Sequence, residues 1–128
     1  MNNAILEHVN VTVSDPEKSA DRLCDLFNWQ ILWSGDAING GRTIHVGSEG
    51  SYVALSPPKG VTTDTGSSYV SLGGLNHIAV VVKELDKVEA RVKAAGFAQK
   101  NYDDDEPGRR FYFHDSDGIE YEVVSYED

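Results

Sequence analysis

The chain repeats itself. Residues 6–13, Leu-Glu-His-Val-Asn-Val-Thr-Val, return as residues 75–82, Leu-Asn-His-Ile-Ala-Val-Val-Val, 69 positions later. At that offset Leu6 and Leu75, His8 and His77, Val11 and Val80, Val13 and Val82, Lys18 and Lys87, and Arg22 and Arg91 are identical. Residues 41–46 then correspond to 108–113, and residues 50–55 to 118–123, at offsets of 67 and 68. A duplicated unit of about sixty residues constrains the fold strongly, because one supersecondary unit must serve both copies and bury its apolar face in the same way.

Within each copy the hydrophobic period changes from two to about 3.6. Val9, Val11 and Val13 alternate with His8, Asn10 and Thr12, as in a half-buried strand. Ser14-Asp15-Pro16-Glu17 follows, with N-cap residues, an early proline and a glutamate three residues after the serine, and predicts a helix through about Phe27. In the second copy Leu85, Val88, Val92 and Ala95 have helical spacing, and Gly96 is a good stop. Segments 29–34, 42–47 and 51–56 read as strands in copy one, and 97–101, 109–114 and 119–125 in copy two. Pro57–Gly74 is rich in Pro, Gly, Ser and Thr and reads as a linker. The expectation is an α+β fold over 1–128: a βαβββ module at 4–57, a linker at 58–73 and a second module at 74–126. The two modules would form paired, curved mixed sheets around a cleft. Alternation turns Val9, Val11, Val13, Ile78, Val80, Val82, Val53, Leu55, Tyr121 and Val123 toward the helices. His8, Asn10, Thr12, His77, Ala79, Tyr52, Ala54, Glu120 and Glu122 face the other way.

Composition narrows the function. With 128 residues, 40% of them hydrophobic, a real core forms without staples. The net charge of −10 repels phosphate, so neither nucleic acid nor an anionic membrane surface is an expected partner. No apolar run is long enough to span a bilayer, and the first residues do not resemble a signal peptide. A single cysteine, Cys24, excludes an internal disulfide framework and fits a reducing compartment, so a cytoplasmic location is expected.

Chemistry is expected on the face away from the helices. His8 and His77 occupy equivalent places there, and carboxylates follow on the last strand of copy two. Two imidazoles and one carboxylate make a facial triad for a divalent metal with open coordination positions. Parity alone leaves Glu120 and Glu122 equivalent, while copy one has Ala54, which cannot bind a metal, where copy two has Glu122.

With these residues in view, the chain resembles the vicinal oxygen chelate superfamily: glyoxalase I, bleomycin-resistance proteins, fosfomycin-resistance thiol transferases, methylmalonyl-CoA epimerase and extradiol dioxygenases. The resemblance rests on Leu6-Glu7-His8-Val9, Val13 to Ser19, Leu75-Asn76-His77-Ile78-Ala79-Val80, and the ending Phe111 to Glu122. It implies metal ligands at His8, His77 and Glu122, the glutamate four residues after the Asp-Gly turn. The fourth ligand of glyoxalase I and the epimerase falls on Ala54 and is absent. The three-ligand set that remains is that of extradiol dioxygenases and fosfomycin-resistance enzymes. Tyr112, ten residues before Glu122, matches a substrate-orienting tyrosine of the dioxygenases. Their ending has a proline where this chain has Ser116, and a histidine expected before Tyr112 is missing.

The implied function is a metalloenzyme that uses Fe, Mn, Ni or Zn to chelate vicinal oxygens of a small-molecule substrate, dioxygenase-like by its ligand set. The alternatives are a glyoxalase-like lyase or isomerase, a fosfomycin-type thiol transferase, and a metal-free ligand-binding protein of the bleomycin-resistance kind. His45, aligned with Tyr112, is a candidate acid or base. His114 and Glu120 read as solvent-facing. Arg42, Arg109 and Arg110 read as salt-bridge partners of the acidic run 103–106, and Cys24 as a packed thiol. A homodimer is expected, because each module leaves a sheet face to be covered and the linker lets modules pair within a chain or between chains.

Overall fold

The computed structural model describes residues 2–36, 40–60, 66–101 and 107–127. The chain divides into two compact units, Met1–Thr62 and Thr63–Asp128. In the first, β1 (His8–Thr12) leads into α1 (Pro16–Phe27), followed by β2 (Gln30–Asp36), β3 (Arg42–Ser48) and β4 (Ser51–Ser56). In the second, β5 (Ile78–Val81), α2 (Leu85–Ala94), β6 (Gln99–Lys100), β7 (Arg109–His114) and β8 (Glu120–Ser125) repeat the order. Each unit is a four-stranded mixed sheet, ordered β1-β4-β3-β2 and β5-β8-β7-β6. The first strand pairs parallel to the last, and the other pairings are antiparallel. This is the expected βαβββ unit, present twice.

Local chemistry sets the helix ends. Asp15 is the N-cap of α1; its Oδ1 accepts from the backbone N–H groups of Glu17 and Lys18 at 3.1 and 3.2 Å. Pro16 supplies the preset φ of the first turn. Asn28 closes the helix in the left-handed region, with φ 57°. No side chain caps α2, where Glu84 holds the N-cap position. Ala20, Leu23, Leu26 and Phe27 bury the inner face of α1, and Leu85, Val88 and Val92 that of α2. They close over Ile44, Val46, Val53 and Leu55 in one unit, and over Phe111, Phe113, Tyr121 and Val123 in the other. Val11, Val13, Val53, Leu55, Val80, Tyr121 and Val123 are buried as parity predicts, but Val9, Ile78 and Val82 are only part-buried, and Ala54, Glu120 and Glu122 of the other face are buried too.

Two strands shift at their ends. β2 begins after Trp29, whose ring packs 5.0 Å from Phe27. β6 shortens to two residues, and Phe97 leaves the strand to stack 5.7 Å from Phe113. Within the linker, Ser68–Val70 form a 3-10 turn, while 61–65 lie outside the described residues. Among the described residues no helix is long and apolar enough to cross a membrane.

Candidate functional site

Register fixes what meets on the sheet face away from each helix. In the second unit Glu122 of β8 stands between Tyr112 of β7 and Ala79 of β5. Its diagonal neighbours are Arg110 on one side and His77 on the other, close enough for long side chains to meet. They do meet: Glu122 Oε1 lies 3.0 Å from His77 Nε2, and Oε2 accepts from Arg110 Nη1 at 2.7 Å. The carboxylate and the guanidinium are both largely shielded from water, at 10% and 6% side-chain exposure. Arg110 Nη2 also donates to the carbonyl of Pro107. The Tyr112 ring stands edge-on to His77 with centroids 5.9 Å apart.

His77 is oriented from behind. Its Nδ1 lies 2.7 Å from Asn76 Oδ1. An Nδ1–H donated to that oxygen leaves Nε2 with its lone pair, aimed at a carboxylate oxygen that also carries lone pairs. Such a contact requires a proton or a cation between them. The 3.0 Å separation matches the edge of an octahedron with metal–ligand bonds of about 2.1 Å. The pair therefore fits two adjacent ligands of one divalent ion.

Glu120, expected in solvent, is buried at 4% exposure. Tyr69 of the linker donates its hydroxyl to Oε2, and His114 Nε2 lies 3.3 Å from Oε1. His77 Nδ1 is 3.8 Å away, beyond hydrogen-bond reach. Burial reverses the solvent-facing reading of Glu120. His114 is only half-exposed, because the carboxylate across the strand pair draws its ring inward. Glu120 lies against the Tyr69 hydroxyl and His114, whereas Glu122 is shared between Arg110 and His77 Nε2; these different partners separate two glutamates that parity leaves equivalent.

The first unit carries different chemistry at the same positions. His8 Nδ1 lies 2.8 Å from Glu7 Oε1, which also accepts from the Tyr52 hydroxyl at 3.1 Å. The His8 hydrogen bond, with that of Tyr52, holds the Glu7 carboxyl below its usual range. Burial and the Glu7 carboxylate push the Tyr52 phenol up. Glu7 stands to His8 as Asn76 stands to His77, an acceptor oxygen beside Nδ1 that orients the ring. A polar acceptor immediately before each histidine was the available sequence signal for this role. Beside His8, Tyr52 stacks at 4.7 Å, His45 lies 4.5 Å beyond it, and Trp33 packs 4.8 Å from His45. Trp33 is half-exposed, so the column ends in an open indole. Ala54 is buried opposite His45, in the register place of Glu122.

Among the described residues no group of three His, Cys, Asp or Glu side chains is gathered as a metal site. Arg42 meets Ser34 and, at 4.0 Å, Glu17; Arg109 meets Asp86; and Arg110 meets Glu122 and the Pro107 carbonyl. The expected pairing with 103–106 falls outside the described residues. Burial, with Asp21 and Asp25 nearby, pushes the Cys24 thiol up, as for an unreactive helix cysteine.

Comparison with known proteins agrees with this fold. The model of the Glyoxalase/Bleomycin resistance protein/Dioxygenase superfamily matches residues 5–123, and the chain belongs to that family. A glyoxylase/bleomycin resistance protein/dioxygenase domain from Frankia sp. EAN1pec superposes with a TM-score of 0.79 at 25% identity, over 97% of this chain and 93% of the other. The fosfomycin resistance protein FosX from Listeria monocytogenes, complexed with Mn(II) and sulfate, gives a TM-score of 0.71 at 23% identity, over 97% and 93%. TnmS3, an antibiotic binding protein from Streptomyces sp. CB03234, gives 0.69 at 20% identity, over 98% of both chains. No curated protein matches the sequence.

Proposed function

We propose that this protein is a divalent-metal enzyme acting on a small molecule with two neighbouring oxygens. His8, His77 and Glu122 are the proposed ligands, and Fe, Mn, Ni or Zn the proposed metal. The reading is dioxygenase-like because three protein ligands leave positions open for a bidentate substrate. The observation that carries it is the meeting of His77 Nε2 and Glu122 Oε1 at 3.0 Å, with Asn76 holding the far side of the ring. The Glu7–His8 contact supports the third ligand. A bound metal would supply Lewis acidity toward the chelated oxygens. Tyr112, opposite Glu122 in register, would orient the substrate, and His45 would accept or return a proton. The FosX complex with Mn(II) shows that the scaffold takes such a metal in a relative.

We assign the protein to the cytoplasm as a homodimer, with each site built within a chain or across two. Titration of the metal-free protein with Mn2+ tests the ligand reading. One equivalent should bind per chain, and His8→Ala, His77→Ala or Glu122→Ala should each remove most of it, with Glu120→Ala removing little. A folded Glu122→Ala variant of unchanged metal content overturns the assignment. Refolding His8→Ala together with Glu122→Ala restores part of the binding only if sites are shared between chains.

One observation favours a second reading, metal-free binding of a flat aromatic ligand. The Trp33–His45–Tyr52–His8 column offers ring faces, and such stacking stabilises a bound ring by roughly 0.5–1.5 kcal/mol per contact. TnmS3, a binding protein, shares the fold. Absence of Mn2+ uptake, with quenching of Trp33 fluorescence by a polycyclic aromatic compound, would select this reading.

A further inference from the structure

We propose that Arg110 is a positioning residue that keeps Glu122 a one-oxygen ligand and tempers its affinity for the metal. The proposal rests on reading His77 and Glu122 as ligands. A free carboxylate beside a divalent cation can offer one oxygen or both. Here the two oxygens are divided: Oε1 faces His77 Nε2 at 3.0 Å, and Oε2 is held by Arg110 Nη1 at 2.7 Å. The guanidinium is itself anchored, since Nη2 donates to the Pro107 carbonyl, and it is nearly buried. Arg110 therefore cannot swing aside to release Oε2 without stranding a buried charge.

The duplication gives an independent observation. The counterpart of Glu122 is Ala54, and the counterpart of Arg110 is Thr43. Carboxylate and guanidinium are present together in one copy and absent together in the other, as expected of a pair that acts as a unit. A charge one carboxylate away from a bound cation opposes that cation, and a monodentate glutamate leaves a coordination position open for a chelating substrate.

The test uses the metal-free full chain and Co2+, whose visible absorption reports coordination number independently of turnover. Arg110→Gln releases Oε2, so the Kd for Co2+ should fall about tenfold, the scale of outer-shell changes. The absorption should weaken as the carboxylate becomes bidentate, and the rise in Tm on adding Co2+ should exceed that of the parent. Arg110→Lys keeps the charge but not the fork to Pro107, so it should change the absorption while leaving Kd within a few-fold. It also serves if the Gln variant does not fold without metal. The parent's absorption in both variants, or weaker binding by Arg110→Gln, overturns the proposal. A parent that takes up no Co2+ rejects the ligand reading beneath it, and the positioning role with it.

Discussion

The two open sheet faces share a backbone and differ in chemistry. His8 and His77 are alike, but beside them Tyr52 stands against Glu120, His45 against Tyr112, Ala54 against Glu122 and Thr43 against Arg110. One face is a column of rings running across the strands. The other is an ionic network in which two shielded carboxylates and an arginine meet two part-exposed histidines. Duplication sets which positions look away from the helix. It does not set their polarity, because each position on that face is free to change once its cross-strand neighbours change with it. The contrast teaches that the unit of change on such a face is the diagonal pair.

The largest effect should come from breaking the ionic pair. Arg110→Met in the metal-free protein should cost about 3–5 kcal/mol in urea unfolding, because Glu122 is left buried and charged. Adding Glu122→Leu should recover most of that loss, since a buried pair replaced together by apolar groups is nearly neutral. A cost below about 1 kcal/mol for Arg110→Met would mean the carboxylate is solvated, and the contrast between faces would collapse.

Next in size is the reverse experiment. Ala54→Glu places a carboxylate at a buried position without a guanidinium and should cost roughly 2 kcal/mol or more. Thr43→Arg in the same chain should restore about half of this if the diagonal pair is portable. Identical stabilities of the single and double variants would show that it is not.

A smaller difference separates the helices. Asp15→Ala should cost about 1 kcal/mol, as for a lost N-cap, while Glu84→Ala should cost close to nothing, because that side chain makes no capping bond. Chemical denaturation of both variants checks this.

The smallest effect is electrostatic. The Glu7 carboxyl is held below its ordinary value of 4.5 chiefly by the His8 hydrogen bond. An acid depressed on folding adds stability above its unfolded pKa and loses it as pH falls through the folded value. His8→Ala should therefore move the Glu7 titration, followed by carboxyl NMR, upward, although the Tyr52 hydrogen bond remains. An unmoved titration would detach Glu7 from His8.

The repeat and its two periods made the fold legible. Period-two alternation at Val9, Val11 and Val13 and helical spacing at Leu85, Val88 and Val92 each follow from one physical demand, the burial of one face. The roles of individual site residues were less legible. Parity tells which face Glu120 occupies, but its burial depends on Tyr69 arriving from the linker, which no periodicity describes. Arg110 meets Glu122 through a diagonal set by register, whereas nearness in sequence points it to the acidic run 103–106. Trp33 ends the aromatic column because β2 carries a register irregularity between Ile31 and Trp33, a backbone event with no single-residue signal. Asn76 and Glu7 were within the repeated motif, but their action on the neighbouring ring depends on where each strand begins.

The parallel docking of β1 beside β4, and of β5 beside β8, implies an order of assembly. β3 and β4 are joined by the tight turn Glu49-Gly50, where Ser48 pairs with Ser51, so this hairpin closes locally. The partners His8 and Tyr52 lie 44 residues apart, and their pairing has to wait for loop closure across a helix and two strands. Both histidines belong to these late-docking segments, so pulse-labelled hydrogen exchange should protect β3 and β4 before β1. In the second unit the β7–β8 hairpin would thus set Glu122 in place before β5 brought His77 beside it.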